Sequence, residues 1–307
     1  MRFRGRTGNQ LFQYAFARAI QEKYYPSYEI ILNFVEYEGL KLGDCNFLQH
    51  FRIQECKPVI IPFKKCLTPV QFCVQAFRSL FTRCTLKFFP DRAYKIDAAF
   101  MQRIMNFFGQ YEPLFDSRYV KPYPSKFKNI VLSAYFEAYE YFDSIRDILL
   151  EEFVPKYDVL PHNKALLENI CNSESVCVHV RRGDFLALSQ FNVCNEEYFI
   201  TAMKAIREEL PKCKFFVFSD DIDTVKNTMH LPFEAEYVSS DIPSCETLRL
   251  MYNCKHFIIS NSTFSWWAQY LSRNENKIVY APTPWRWGED CSGMYMPYMR
   301  TIECRKK

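Results

Sequence analysis

Apolar and polar positions in the second half of the chain alternate between two periods, and each change of period marks an element. Apolar runs at 176–180, 215–219, 257–260 and 277–281 read as strands buried on both faces. Between them, 196–210, 247–254 and 263–272 carry apolar residues at helical spacing; in the first, Tyr198, Ala202, Ile206 and Leu210 fall four apart and Asn195 stands as N-cap. Strand and helix in alternation predict a parallel sheet with helices on both faces, the α/β class.

The first half is less regular. Gly5-Arg6-Thr7-Gly8-Asn9-Gln10 follows a very short opening segment and precedes an alanine-rich run at helical spacing, a glycine turn opening a helix. Strands are predicted over 28–34 and 130–134 and a helix over 144–153, while 58–116 mixes amphipathic helix with aromatic-rich sequence of no assignable topology. Pro155 and Pro161 punctuate a linker, so two α/β halves, 1–155 and 156–307, are expected to face each other across a cleft.

Composition narrows the function classes. The 307 residues, 49% hydrophobic, can bury one large core or two medium ones. A net charge of +4, with 39 basic among 35 acidic residues, leaves no nucleic-acid footprint. Met1-Arg2-Phe3-Arg4-Gly5-Arg6 is too polar for a signal peptide, and no window nears the roughly 18 to 20 apolar residues of a membrane span. A cytoplasmic protein is expected, with peripheral contact at the inner membrane face as an added expectation. Thirteen scattered cysteines without a Cys-x-x-Cys pair read as reduced thiols, and five histidines without ligand spacing argue against a zinc site.

The chemistry concentrates at the predicted strand ends. Ser175-Val176-Cys177-Val178-His179-Val180-Arg181-Arg182-Gly183-Asp184-Phe185 is an apolar run that stops at two arginines. Ligands of open α/β sheets bind at the carboxyl ends of the strands, and guanidinium groups fork onto phosphate, so an anion site is expected there. At Ser260-Asn261-Ser262-Thr263-Phe264-Ser265 a strand gives way to small polar residues and then a helix, a second anion cradle. Ser262 or Thr263 as a simple helix cap is the competing reading. Asp220 and Asp221 end a third strand and can accept hydrogen bonds from a base or a ribose, or start a turn. His179, inside the strand, reads as a core residue ahead of a catalyst, and Asp184 as a partner orienting Arg182 ahead of a catalytic group. The Arg-Gly-Asp tripeptide is tied to a buried strand and does not read as an adhesion ligand.

Three segments then resemble one family. His179-Val180-Arg181-Arg182-Gly183-Asp184-Phe185, Gly8-Asn9-Gln10-Leu11-Phe12-Gln13-Tyr14-Ala15 and Asn261-Ser262-Thr263-Phe264-Ser265-Trp266-Trp267-Ala268 are similar, in order, to signature segments of the α-1,2-fucosyltransferases of glycosyltransferase family 11. The resemblance implies a GT-B-like architecture with two Rossmann-type domains, GDP-β-L-fucose bound mainly by the second, and metal-independent inverting transfer of fucose to the 2-hydroxyl of a terminal galactose. It implies no cofactor; the acceptor would be a galactose-terminated oligosaccharide or a lipid-linked glycan. By likeness to related fucosyltransferases, Arg181 would bind the β-phosphate and His179 would lie near the nucleotide. Asp220 or Asp221 would contact guanine, and Asn261, Ser262, Thr263, Phe264 and Ser265 would line the donor. Asn9 would sit beneath the sugar.

Two departures stand out. Family members open with a longer apolar segment and a Gly-Gly-Leu-Gly-Asn-Gln-like turn, so a late start or a truncated gene model is an expectation here. The turn is also similar to that of protein O-fucosyltransferases, which keeps Arg6 as a candidate. The general base stays open between Asp184, Glu137 and none, the departing phosphate taking the proton in the last case. Fucosyl transfer in another linkage or to protein, and a non-catalytic sugar-nucleotide or glycan binder, are the alternatives.

Overall fold

The computed structural model describes residues 1–37, 39–186 and 188–305, without the side chains of Asp184 and Leu186. The chain divides into two compact units, Met1–Gln49 with Ile53–Leu149 and His50–Arg52 with Leu150–Lys307.

The first unit contains α1 (Thr7–Tyr24), β1 (Ile31–Asn33), β2 (Lys57–Val59), α2 (Pro69–Phe88), β3 (Gln110–Tyr111) and β4 (Val131–Leu132). β1 pairs with β2 and β3 with β4, both in parallel. The opening segment lies between these ladders. Asn33 N donates to Met1 O at 2.8 Å, Phe3 N to Asn33 O at 2.7 Å and Arg2 N to Leu132 O at 2.9 Å. Short as it is, the segment is bonded on both sides, and Phe3 is fully buried with its ring 5.2 Å from that of Phe34.

The second unit runs α3 (Lys164–Asn172), β5 (Ser175–Val180), α4 (Glu196–Glu209), β6 (Lys214–Ser219), α5 (Ile222–Thr228), β7 (Ala235–Tyr237), α6 (Ser244–Tyr252), β8 (His256–Ile258), α7 (Thr263–Leu271), β9 (Val279–Thr283) and β10 (Arg300–Glu303). Its six strands lie in the order β10-β9-β8-β5-β6-β7, every pair parallel. From β5 the chain steps outwards to β6 and β7, then returns to β8 and steps the other way. The order therefore reverses between β5 and β8, the place where doubly wound sheets open a ligand crevice beyond the strand ends.

Burial explains the unalternating sequence of β5. Val176, Val178 and Val180 pack with Phe199, Met203 and Ile206 of α4 and Val225 of α5. Cys177 and His179, at the intervening positions, project to the opposite face and are buried there. Both faces are covered, so both sets are largely apolar. β7 and β10 carry no such run, because an edge strand is sealed on fewer sides; their residues are half-buried or exposed. All thirteen cysteines are free thiols.

Candidate functional site

The carboxyl ends of β5, β6 and β8 bring together His179, Arg181, Asp220 and Ser260. His179 is buried and its Nδ1 lies 2.9 Å from Oγ of Ser260, a contact across the switch point between β5 and the segment after β8. Burial, with a smaller contribution from the Arg181 charge, pushes the imidazole down to about 3, so the ring stays neutral at working pH. Ser260 engages the ring through Nδ1. The Phe264 ring, at the start of α7, lies 6.1 Å from the imidazole.

Arg181 follows β5 and is held by a carboxylate from the neighbouring strand end. Its Nη1 is 3.1 Å from Oδ2 of Asp220, and the backbone N–H of Arg182 donates to Oδ1 of the same side chain at 2.9 Å. The Arg181 guanidinium also lies over the Phe185 ring at 5.2 Å, a cation–π contact. Glycine at 183 permits this closure, since a Cβ there would stand 2.2 Å from Asp220 Oδ2. Both Asp220 oxygens are thus engaged inside the protein. Asp221 serves as N-cap of α5, accepting from Thr224 N at 3.2 Å. The Asp184 side chain lies outside the described residues.

In the second cradle, capping and cradle readings meet in one segment. Ser262 is the N-cap of α7 and accepts from Phe264 N at 3.3 Å. The first intrahelical bond runs from Trp266 N to Ser262 O at 3.0 Å, so the N–H groups of Thr263 to Ser265 lie ahead of the helical ladder. The positive end of the helix dipole therefore points out of the same edge as Arg181. Asn261 and Ser265 are buried and support the loop. Asn261 Nδ2 donates to Phe191 O at 2.9 Å and Trp285 O at 3.0 Å, and Ser265 Oγ donates to Ser260 O at 3.2 Å and Ser262 O at 3.1 Å. Along the sequence Ser260 is the last residue of an expected strand, which hides its place beside His179; a serine ending an apolar run before Asn-Ser-Thr is the available signal.

The first unit builds its own polar edge. Gly5 has φ +77°, and a Cβ on it would stand 2.3 Å from Asn9 Nδ2, so the turn brings its backbone against Asn9 at the start of α1. Gln10 fixes the helix start, donating from Nε2 to Tyr37 Oη at 2.8 Å and Cys45 O at 2.7 Å. Tyr37 in turn donates to Gly5 O; burial pushes its phenol up to about 12, so it remains a donor. Arg6 is exposed at this turn. The adjacent loop after β4 is joined to it by the Arg4 guanidinium over the Tyr135 ring at 4.8 Å. In that loop Glu137 is buried and accepts from Ser117 Oγ at 2.9 Å. The preceding Phe136 has φ 54°, a left-handed conformation that a bulky residue keeps only when its surroundings enforce it. Here the Phe16 ring stacks on it at 3.9 Å.

The sequence model of glycosyl transferase family 11 matches residues 1–287. The chain belongs to glycosyltransferase family 11. Within this family setting it is 27% identical to an alpha-1,2-colitosyltransferase of Escherichia coli over 298 residues, 92% of this chain and 91% of the relative. It is 32% identical to the O-antigen biosynthesis glycosyltransferase WbnK of Escherichia coli, over 54% of this chain and 58% of that one. A galactoside 2-alpha-L-fucosyltransferase of Caenorhabditis elegans is 24% identical over 49% of this chain and 45% of its own. Among solved structures, the fucosyltransferase NodZ from Bradyrhizobium aligns with a TM-score of 0.46 and 15% identity, covering 87% of this chain and 90% of that one.

Proposed function

We propose that this family 11 glycosyltransferase is a GT-B-like enzyme that moves L-fucose from GDP-β-L-fucose to the 2-hydroxyl of a terminal galactose, inverting the anomeric centre. The supporting observation is the joined strand end of the second unit: His179 bonded to Ser260 across the switch point, with Arg181 held by Asp220 beside it.

In this reading the departing diphosphate meets Arg181 and the N-terminus of α7, while His179 lies near the nucleotide. Transfer builds negative charge on the leaving group, and fixed donors aimed at that charge lower the barrier without reorganising. The guanidinium and the helix end supply positive charge that a divalent cation would otherwise bring. Asp220 orients Arg181, and its remaining lone pairs accept from guanine. Ser262, Thr263 and Phe264 line the donor, and Asn9, Arg6 and Glu137 belong to the acceptor-side unit.

The experiment is transfer from GDP-fucose to a panel of free and lipid-linked galactosides, with linkage analysis of the product and parallel assays in chelator. An α-1,2 product formed at an undiminished rate in chelator is expected, and a folded Arg181→Ala protein should turn over roughly a hundredfold more slowly or worse. Arg181→Ala at wild-type rate would sink the assignment. A second reading is favoured by the relative matched over nearly its full length, which is named for colitosyl transfer. A colitosyl nucleotide therefore belongs in the donor panel, and preference for it would replace fucose while keeping the site.

A further inference from the structure

Helix α2 is built inside out. Of the residues it keeps from full exposure, Gln71, Gln75, Arg78, Thr82 and Thr85 recur at steps of three and four and are polar, and only Val74 and Phe81 beside them are apolar. Three of the polar ones are bonded into the first unit. Gln71 Nε2 donates to Phe108 O and Asn129 O, each at 2.8 Å; Gln75 Nε2 donates to Glu112 at 2.7 Å; and Arg78 pairs with Glu112 at 3.3 Å.

Most of the apolar side chains point the other way. Phe72 and Phe77 are each 49% exposed, Leu80 63% and Phe88 65%. The patch continues onto the next helical segment, because the Phe81 ring lies 6.1 Å from Phe77 and 5.7 Å from Phe100, itself 51% exposed. A helix bordered by water shows the reverse arrangement, and a contiguous exposed apolar patch marks a surface that meets something apolar.

Charge says which partner. From 69 to 107 the exposed charged residues are Arg83, Lys87, Arg92, Lys95 and Arg103 against Asp91 alone, five cations to one anion in a chain of net charge +4. An apolar helix face rimmed by lysine and arginine is the pattern of a helix lying in a lipid interface, and each cation adds attraction to anionic headgroups. A second copy of the chain fits less well, since a two-fold contact would set this cationic rim against itself. Spanning is not the mode: α2 carries Arg78, Arg83 and Lys87, and no helix among the described residues is long and apolar enough to cross a membrane.

We propose that the outer face of α2, with Phe100, docks on an anionic lipid surface, its phenylalanine and leucine side chains reaching the acyl boundary and its arginines and lysines meeting the headgroups. The docking stands independently of which sugar is transferred, since it is read by binding.

The test is flotation of the full chain with vesicles of phosphatidylcholine alone and of phosphatidylcholine mixed with phosphatidylglycerol. Binding to the anionic vesicles that weakens with salt is expected. F77D/L80D and R83E/K87E should each lower the bound fraction roughly tenfold or more, with unchanged circular dichroism and melting. Both pairs are exposed, so folding survives. Absence of wild-type binding to anionic vesicles would overturn the proposal, as would wild-type binding by both variants. So would a dimer in light scattering that F77D/L80D disperses while vesicles go unbound, which would assign the face to a second copy.

Discussion

Arg181 is a charged side chain that is also held in one place. Asp220 takes its guanidinium at 3.1 Å and the following backbone N–H at 2.9 Å, so one carboxylate orients both the side chain and the turn that carries it. Asp220→Ala should therefore leave the charge and lose its aim, lowering kcat/KM by roughly ten- to a hundredfold, less than Arg181→Ala; steady-state kinetics with saturating acceptor read this. An unchanged kcat/KM would remove the positioning role. His179 bears a second expectation. Its folded value of about 3 lies below the ordinary 6.5, so the unfolded chain binds the extra proton first as pH falls. Its contribution to stability is complete above about 6.5 and drains away towards about 3, at up to roughly 1.4 kcal/mol per pH unit. Urea unfolding of the wild type and His179→Gln from pH 7 to pH 4 should show a smaller acid loss in the variant. The same argument leaves no imidazole step in the rate profile between pH 5 and pH 8.

At the scale of elements, the site is made where strands stop and helices start. α5 and α7 each open on a side-chain cap, Asp221 in the first and Ser262 in the second. Asp221→Ala and Ser262→Ala should each cost about 1 kcal/mol in chemical denaturation, the usual loss of a cap. Only Ser262→Ala should also raise KM for the donor, because α7 opens beside His179 whereas the Asp221 cap serves its own helix. Equal donor KM values in the two variants would return Ser262 to a purely structural role. β5 and β8 could be read from sequence because burial on both faces keeps their residues apolar. α2 misleads the same kind of reading, since its apolar periodicity announces a helix while the apolar side is the one turned outward.

Over the whole molecule, the chain folds as two compact units, and the second carries a six-stranded parallel sheet whose order reverses once. Membership of glycosyltransferase family 11 spans residues 1–287 and so includes residues of both units. What the sequence by itself determined is local: the alternation of strand and helix after residue 175, the glycine turn before α1, the arginine at the end of β5 and the helix start at Ser262. Each follows from periodicity, capping or backbone freedom within about ten residues. Only the tertiary structure decided that Asp220 belongs to Arg181 and that Ser260 belongs to His179, a contact 81 positions apart along the chain. Those partners are set by which strands lie side by side, and strand order depends on how the crossover helices pack, which no local pattern encodes.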